Sequence, residues 1–537
     1  MPLPPTCFFL LVFFVFPSHS FPLSTSSRWI VDQNSGDRRK LACVNWPGHL
    51  HVMIPEGLNK KPMKAIVSDI SGEMGFNCVR LTWATYMYTR YSNVTVSESL
   101  DRWNLTVVKD GVAKNNPEVL EMSVVEAQNA VVNELGKGNL MVMLDNHVSL
   151  PQWCCGENDG NGFFGDENFD PDEWVQGLVA VAGRYKNNPS VVAMSMRNEL
   201  RGRRQNVTAW YKYMQQGAVA IHHENPDILV IFSGLSYDTN LGFLKSQPLT
   251  IDLDNKIVFE AHWYPFGQPP EKWIFQTNEY CANMTKLFMD NSGFLFRTDE
   301  NPVPLFLSEF GLDQRGGNEM ENRYFVCVLA TIAENDIDWA LWQLPGSFML
   351  REGIVDHEDV FGMYDSKWEN LRNSTTLERL HFVQTNIQGS IASSDSTSYV
   401  LYHPLSGQCV EASDDVLSMT NCRHASRWDH TQDGGPIKLT KTDCCLTTIS
   451  QGLPPVVSDH DDCSSPQSSW NFVSVTNHHL ASKDNQGNHL CLEVDPLTSR
   501  IVTNKCLCLD DNLRDVSRCE ENPQSQWLKL IPITKQI

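Results

Sequence analysis

Positively charged residues are scarce in this sequence. Its 537 residues include 42 lysines and arginines but 64 aspartates and glutamates, which leaves a formal net charge of −22. Such a chain would be repelled by a nucleic acid or an acidic membrane surface, so neither is expected as a partner. A neutral substrate fits this charge better, and the 41% of hydrophobic residues provide enough apolar material for a packed core.

Long hydrophobic runs are missing as well. The run Cys7–Phe16 has ten residues, too few to cross a bilayer, and no later run reaches eighteen. It precedes Ser18-His19-Ser20, a triplet typical of signal-peptide cleavage after Ser20, although no lysine or arginine comes before the run. We therefore expect residues 1–20 to be removed and the mature protein to be soluble, secreted and extracellular, without a lipid anchor.

N-glycosylation sequons agree with this expectation, since they are used only in the secretory pathway. Five of them occur, all before residue 376, at Asn93, Asn104, Asn206, Asn283 and Asn373. The sequence therefore predicts a glycoprotein.

Spaced metal-ligand motifs are also lacking. The pair His222-His223 has no matching third and fourth ligand, and Cys154-Cys155 and Cys444-Cys445 are adjacent rather than spaced as zinc pairs are. We predict no metal site and no cofactor.

The cysteines are distributed unevenly along the chain. One of the 16 lies in the predicted signal peptide, and the remaining 15 are an odd number, so at least one thiol is free or intermolecular. Nine of these 15 follow residue 400, whereas Cys43, Cys78 and Cys327 lie in predicted core elements and are interpreted as buried apolar fillers. This asymmetry predicts a larger unit stabilised by its core and a smaller one held by disulfides.

Between residues 41 and 344, short apolar runs alternate with longer amphipathic stretches, a pattern typical of repeated βα units. The eight candidate strands are Leu41–Trp46, Cys78–Trp83, Leu140–His147, Val191–Glu199, Ile228–Gly234, Ile257–Tyr264, Val303–Phe310 and Asp338–Leu344. The clearest helical patterns are Pro117–Lys137, Pro171–Lys186 and Val207–His223. The expected fold class is α/β, a closed (β/α)8 TIM barrel. An open doubly wound sheet is the alternative, but no glycine-rich phosphate-binding loop follows the first strand.

A domain boundary is expected near residue 390. Ser374–Ile387 is predicted as a last covering helix with Ser374 or Thr375 as its N-cap. The stretch Gly389–Ser398 that follows is small and polar, as linkers are. We therefore assign residues 1–20 to a signal peptide, 21–390 to the barrel and 391–537 to a second domain.

The region after residue 397 contains three similar units. Each has a cysteine motif, a further cysteine and a Ser-x-Trp triplet; the triplets are Ser426-Arg427-Trp428, Ser468-Ser469-Trp470 and Ser525-Gln526-Trp527. Within single units we predict the disulfides 409 to 422 and 445 to 463, and a pairing of 491 with either 506 or 508.

Over residues 397 to 533 these units resemble the ricin-type β-trefoil, an all-β fold found in many lectins. The resemblance implies an aspartate after each Cys-Leu pair, but Glu411, Thr447 and Glu493 hold these places. Serine also replaces the glutamine expected in each triplet, and the tryptophans remain as core residues. We therefore favour a structural role for this domain over sugar binding.

Glu199 and Glu309 each end a predicted barrel strand. A buried glutamate is costly without partners, and a structural ion pair would explain one such residue but less readily two. The other strand ends carry polar and aromatic groups, namely Arg80, His147, His262, Tyr264 and Trp342. Because the C-terminal ends of barrel strands meet on one face, a single site could gather all of them.

In order and spacing, the strand-end motifs resemble those of glycoside hydrolase family 5, the cellulase-type retaining β-glycosidases, over residues 41 to 390. The motifs are Val44-Asn45-Trp46-Pro47-Gly48, Val79-Arg80-Leu81, Asp145-Asn146-His147, Asn198-Glu199, His262-Trp263-Tyr264, Ser308-Glu309-Phe310-Gly311 and Trp339-Ala340-Leu341-Trp342. With the ricin-like domain added, the chain looks like the plant cellulase-like subgroup.

The resemblance implies that Glu199 is the general acid/base and Glu309 the nucleophile. A retaining mechanism places the two carboxyl groups about 5 Å apart, one protonated and one ionised. Arg80 and Tyr264 are then expected to donate hydrogen bonds to Glu309 and to keep it anionic.

Four further roles follow from the same resemblance. Asn198 is expected to bind the sugar 2-hydroxyl, whose hydrogen bond tightens in the transition state. His147 and His262 would position the sugar ring and tune the acid/base, and Trp342 would offer an apolar face to the sugar.

We therefore predict a secreted, monomeric hydrolase of β-linked glucan or mannan type polysaccharides or oligosaccharides. One alternative is a transglycosylase, which product analysis at high acceptor concentration would distinguish. Another is a catalytically silent extracellular carbohydrate-binding protein, which glycan binding by the tail without hydrolysis would favour.

Overall fold

The computed structural model describes residues 22–297, 301–389, 398–413, 416–459, 463–509, 519 and 521–534. The predicted signal peptide and nearly all of the predicted linker, residues 390–397, lie outside these ranges. A parallel barrel is followed along the chain by an all-β antiparallel region. Among the described residues, no helix is both long enough and apolar enough to cross a membrane.

The eight predicted strands are confirmed, with ends shifted by a few residues. After a hairpin of β1 (Leu23–Ser26) and β2 (Trp29–Asp32), the barrel strands are β3 (Ala42–Trp46), β4 (Cys78–Ala84), β5 (Met141–Val148), β6 (Val191–Ser195), β7 (Leu229–Phe232), β8 (Ile257–His262), β9 (Leu305–Phe310) and β10 (Asp338–Leu341). All pair in parallel with their chain neighbours, and β10 closes the ring against β3, with Trp339 opposite Ala42. The fold is therefore a closed barrel and not the open sheet.

Helices and short turns connect the strands around the outside of the barrel. The α-helices are α1 (Met63–Ser71), α2 (Thr85–Thr89), α3 (Val96–Arg102), α4 (Thr106–Asn115), α5 (Val124–Lys137), α6 (Pro171–Arg184), α7 (Val207–Glu224), α8 (Pro270–Phe275), α9 (Thr277–Phe288), α10 (Phe294–Arg297), α11 (Glu319–Asn335) and α12 (Ser374–Leu380). Short 3-10 turns cover Pro117–Val119, Gly242–Lys245 and Pro523–Gln526, and a π turn covers Met289–Gly293.

Two helix predictions need correction. The expected helix Pro117–Lys137 is broken, because Ser123 and Glu126 form a capping box that starts α5 anew. The last covering helix ends at Leu380 rather than at residue 387, since the backbone N–H groups of residues 387 and 388 turn toward the carboxylate of Asp336. Its N-cap is Asn373, whose side-chain oxygen accepts a hydrogen bond from the backbone N–H of residue 375 at 3.0 Å.

The interpretation of Cys43, Cys78 and Cys327 as unpaired fillers is wrong. Cys43 and Cys78 are register partners on β3 and β4, with Cα atoms 4.5 Å apart, and form a disulfide inside the barrel. Cys327 of α11 pairs with Cys281 of α9. Both bonds join elements that become neighbours only in the folded chain.

The second region consists of short antiparallel strands. After the hairpin of β11 (Ser347–Arg351) and β12 (Ile354–Glu358) come β13 (Ser398–His403), β14 (Gln408–Ser413), β15 (Val416–Thr420), β16 (Trp428–Asp429), β17 (Lys438–Leu439), β18 (Cys445–Thr447), β19 (Val456–Ser458), β20 (Asn471–Phe472), β21 (Leu480–Lys483), β22 (His489–Val494), β23 (Ile501–Lys505) and β24 (Lys529–Ile533).

Disulfides connect these strands within the predicted units. Cys409 pairs with Cys422, Cys445 with Cys463 and Cys491 with Cys506, so the predicted pairings are confirmed, and a further bond joins Cys508 to Cys519. Among the described cysteines only Cys444 is free, which accounts for the odd number.

The three tryptophans of the triplets, Trp428, Trp470 and Trp527, are fully buried, as expected for core residues. Glu493 accepts hydrogen bonds from Asn504 at 3.0 Å and Gln526 at 2.9 Å, so its carboxylate is engaged within the region. The ricin-type assignment, the lack of sugar binding and the boundary at residue 390 stay predictions.

The β region packs directly against the barrel. The indole N–H of Trp527 donates to Asn278 of α9 at 2.8 Å, and the side-chain amide of Gln524 donates to the backbone oxygen of Arg323 at 2.9 Å. Lys529 forms an ion pair with Glu334 at 2.9 Å. Buried contacts of this kind indicate a docked region rather than one that only trails from a linker.

Four of the five sequon asparagines are exposed, and the fifth, Asn373, is half-buried at its helix cap. Glycosylation of these positions stays a prediction.

Candidate active site

A cleft of about 790 Å³ opens at the C-terminal ends of the barrel strands. Its lining comprises His147, Trp153, Cys154, Cys155, Glu199, Ser236, Tyr237, Thr239, His262, Tyr264, Phe266, Gly267, Glu309, Trp342, Arg351, Asp359 and Phe361. Six of the eight predicted site residues are in this set, and the other two, Arg80 and Asn198, are buried and contact it from below. The fold therefore brings all eight to one place.

Glu199 and Glu309 reach the cleft in different ways. Glu309 is the next-to-last residue of β9, whereas β6 ends at Ser195, so Glu199 lies four residues beyond its strand. Glu199 has a left-handed backbone, with φ of +46°. One carboxylate oxygen of each residue and one ring nitrogen of His262 all lie within 4.8 Å of one another.

Arg80 connects Glu309 to the base of the cleft. Its Nη1 donates to Glu309 Oε1 at 2.8 Å and to Asn45 Oδ1 at 2.9 Å, and its Nη2 donates to Asn198 Oδ1 at 3.0 Å. The hydroxyl of Tyr264 donates to Glu309 Oε2 at 3.2 Å. Glu309 therefore receives a hydrogen bond on each carboxylate oxygen, one of them from a permanent cation.

Further buried acids lie beneath this pair. Asp145 approaches Arg80 Nη2 at 3.0 Å and Glu260 approaches it at 3.6 Å, while Ser195 donates a short hydrogen bond to Glu260. Sequence reasoning missed the roles of these acids, although Asp145 belongs to a motif that it singled out. The sequence could have indicated Glu260 as a site residue, because it is a carboxylate in the middle of an apolar strand.

Burial raises the pKa of Glu199 to about 7. Burial likewise raises the pKa of Glu309 to about 7, against the opposing influence of His262 and Arg80. Two carboxyl groups this close titrate as a coupled pair rather than independently. Because Glu309 receives the Arg80 hydrogen bond, we place the negative charge on Glu309 and the proton on Glu199.

Two histidines flank the acidic pair. His262 Nδ1 lies 2.9 Å from Glu199 Oε1 and 3.8 Å from Glu309 Oε2, and burial lowers the pKa of His262. His147 instead contacts Asp145, with its Nδ1 2.6 Å from Asp145 Oδ2, and stacks on Trp342 with ring centroids 5.6 Å apart. Burial also lowers the pKa of His147, to well below its usual value.

Asn198 and the loop around it complete the base of the cleft. The side-chain N of Asn198 lies 3.5 Å from the sulfur of Cys155 and 3.8 Å from that of Cys154, two residues joined in a disulfide. Arg201 donates to the backbone oxygen of Glu199 at 2.8 Å and so anchors the loop.

Two groups of side chains among the described residues have donor atoms close enough for a metal ion. One contains Glu199, His262 and Glu309, in which His262 already contacts both carboxylates and Glu309 also contacts Arg80. The other contains His147, Cys154 and Cys155, but its two sulfurs are bonded to each other and offer no thiolate.

The site thus pairs two buried carboxyl groups, those of Glu199 and Glu309, in an aromatic-lined cleft on a (β/α)8 barrel. The pattern of the family Cellulase (glycosyl hydrolase family 5) matches residues 40–347. A glycosyl hydrolase 5 family protein of Chamaecyparis obtusa is 43% identical over 546 residues, covering 98% of this chain and 96% of the relative. The chain therefore belongs to glycosyl hydrolase family 5.

More distant relatives share the barrel. An endoglucanase of Paenibacillus polymyxa is 21% identical over 60% of this chain and 79% of its own length. The catalytic domain of the major endoglucanase of Xanthomonas campestris pv. campestris has a TM-score of 0.53 and 21% identity, over 66% of this chain and 97% of that domain. An endocellulase of Pyrococcus horikoshii has a TM-score of 0.54 and 17% identity, over 68% of this chain and all of the relative, a likeness of fold alone.

Proposed function

We propose that the protein is a secreted retaining glycoside hydrolase that cleaves β-linked glucan or mannan type polysaccharides or oligosaccharides. The observation that carries this proposal is the approach of Glu199 and Glu309, whose nearest oxygens lie within 4.8 Å. Retaining enzymes place their carboxyl groups about 5 to 5.5 Å apart, whereas inverting enzymes need about 6.5 to 9.5 Å to admit a water molecule. The 4.8 Å bound on the nearest oxygens lies below the range of inverting enzymes and so supports retention.

In the first step, Glu309 attacks the anomeric carbon and its oxygen forms a covalent bond there. The glycosidic C–O bond breaks, and Glu199 gives its proton to the departing oxygen. In the second step, Glu199 accepts a proton from water while the water oxygen displaces Glu309 from the sugar. The burial that raises the pKa of Glu199 keeps it protonated for the first step.

The choice of substrate rests on the lining of the cleft and on the relatives. Six aromatic side chains line it, which suits the apolar C–H faces of sugar rings: Trp153, Tyr237, Tyr264, Phe266, Trp342 and Phe361. The bacterial relatives are named endoglucanases, which favours a β-glucan as the first substrate to test. Asn198 and His147 lie where they could contact a sugar bound against Glu309.

Secretion is supported by the disulfides. Seven occur among the described residues, and bonds of this kind persist in oxidising compartments. The Xanthomonas relative is itself named a major extracellular endoglucanase.

The test is labelling with activated 2-fluoro glycosides followed by mass spectrometry. We expect a covalent sugar on Glu309 in the wild type and none in Glu309→Gln, which should also lose turnover on β-glucans and β-mannans. Glu271→Gln, which removes an exposed carboxylate from α8, is the matched control and should keep full turnover. Unchanged turnover of Glu309→Gln would refute the proposal, and transfer of sugar to an added acceptor instead of water would identify a transglycosylase.

A further inference from the structure

The loop after β7 has an unusual backbone. Ser236, Tyr237 and Asp238 are three successive non-glycine residues in the left-handed region, with φ of +56°, +61° and +57°. Each such residue costs about 1 to 2 kcal/mol, so a run of three persists only where surrounding contacts impose it. Glu199, with φ of +46°, contacts this loop through its backbone N–H, which donates to Asp238.

Hydrogen bonds tie the loop to the segment that carries Glu199. Residues Leu235 and Asn240 exchange two backbone hydrogen bonds of 2.9 and 3.1 Å, which close the turn at its base. The N–H of Tyr237 donates to the oxygen of Leu200 at 3.1 Å, and the N–H of Ser236 donates to Gln205 Oε1 at 2.7 Å. These hydrogen bonds therefore fix the position of the left-handed turn relative to the residues that follow Glu199.

This loop conformation fixes the position of Asp238. Its side chain is fully buried, and its Oδ2 accepts the backbone N–H of Glu199 at 2.9 Å. Its backbone oxygen accepts the N–H of His262 at 3.0 Å, and its Oδ2 lies 3.6 Å from His262 Nε2. Asp238 thus contacts both Glu199 and the histidine whose other ring nitrogen meets the Glu199 carboxyl at 2.9 Å.

We propose that Asp238 is the positioning residue of the general acid, a role that rests on the function proposed above. It holds the left-handed backbone of Glu199 by one hydrogen bond and the backbone of His262 by another. The first contact fixes the backbone of Glu199, and the second fixes the histidine whose Nδ1 meets the Glu199 carboxyl. Asp238 acts through Glu199, since its side chain is fully buried and accepts the backbone N–H of Glu199.

The contact needs an acceptor rather than a negative charge. Burial raises the pKa of Asp238 well above its usual value, and the nearby carboxylate of Glu260 raises it further, while the hydrogen bond from the Glu199 N–H and the charge of Arg80 oppose this rise. A neutral side-chain oxygen can still accept the N–H of Glu199. Asparagine should therefore replace Asp238 far better than alanine.

Leaving-group dependence provides the test, because a good leaving group departs without a proton and makes a general acid unnecessary. We compare kcat/KM on phenyl and 2,4-dinitrophenyl β-glycosides of a sugar that the wild type hydrolyses. Asp238→Ala should lose about 100-fold or more on the phenyl glycoside, within the usual contribution of general acid catalysis. On the dinitrophenyl glycoside Asp238→Ala should lose less than about 10-fold in kcat/KM, and Glu199→Ala should show the same pattern. Asp238→Asn should stay within about 10-fold of the wild type on both glycosides.

Asp336→Ala is the control, a buried aspartate with φ of +46° that pairs with Lys40 at the opposite end of the barrel. Any loss it causes should be the same for both leaving groups. Equal losses for Asp238→Ala on the two substrates, or an asparagine variant as impaired as the alanine variant, would overturn the assignment. If Asp238→Ala does not fold, the test of the proposal rests on Asp238→Asn and on its kcat/KM for the phenyl and dinitrophenyl glycosides.

The two proposals fail differently. A wild type that neither hydrolyses glycosides nor takes up a 2-fluoro label contradicts the proposed function. A wild type that does both, beside an Asp238→Ala variant without leaving-group selectivity, contradicts only the role of Asp238.

Discussion

Replacing Arg80 with lysine keeps the positive charge but removes the forked guanidinium. The two terminal nitrogens of Arg80 contact Glu309, Asn45, Asn198 and Asp145 at 2.8 to 3.0 Å. A single ammonium group on a shorter side chain cannot meet acceptors on both sides in this way. We therefore expect Arg80→Lys to lose the hydrogen bond to Glu309.

The size of the effect follows from that hydrogen bond. A bond to a charged group contributes about 1.5 to 3 kcal/mol, and its loss would raise the pKa of Glu309 by about 1 to 2 units. The shared proton would then move from Glu199 to Glu309, which is the unproductive arrangement. We expect kcat/KM to fall about 10- to 100-fold at the optimum, and the acidic limb of the pH profile to move upward.

The assay is kcat/KM on an aryl β-glycoside across the acidic and neutral pH range. Arg38→Lys is the matched control, because Arg38 is also fully buried but pairs with Asp338 at the opposite end of the barrel. It should lower stability without changing the pH profile. An Arg80→Lys enzyme with the wild-type acidic limb would show that Arg80 does not set the ionisation of Glu309.

Two predictions concern stability. Burial raises the pKa of Glu56 to about 8, so the native state binds this proton more tightly than the unfolded state, and stability should fall as pH rises from about 4.5 to 8. In Glu56→Gln this fall in stability, up to about 3 kcal/mol at pH 7, should disappear, so that Tm depends less steeply on pH. An unchanged dependence of Tm on pH would contradict this prediction. Trp527→Ala should cost about 3 to 5 kcal/mol and lower the temperature at which the barrel loses activity, because Trp527 is buried against Asn278 of α9. If only the β region melts earlier, as followed by circular dichroism beside activity, the two parts unfold independently.

The barrel could be predicted strand by strand because each strand is a local apolar run. Ile257–His262 and Leu305–Phe310, for example, stand out by composition before any pairing is known. Two of the tail disulfides were equally accessible, since Cys409 and Cys422 lie 13 residues apart and Cys445 and Cys463 lie 18 apart, each pair within one repeat. The partner of Cys491 stayed open, and the bond between Cys508 and Cys519 was not predicted. The Cys43 and Cys78 bond was missed because strand register, and not spacing, brings these residues together.

The sequence by itself determined on which barrel strands or following loops the site residues lie, although Glu199 falls four residues beyond β6 and Arg80 lies within β4 rather than at its end. Only the tertiary structure decided how Glu199 is held, since its contacts with Asp238 and His262 come from the loop after β7 and from the end of β8. It also brings Arg80 onto Glu309, a contact that favours the ionised form of Glu309 over that of Glu199. The physical reason is that apolar patterning acts along the chain, whereas desolvation and hydrogen bonding act between residues that only folding makes neighbours.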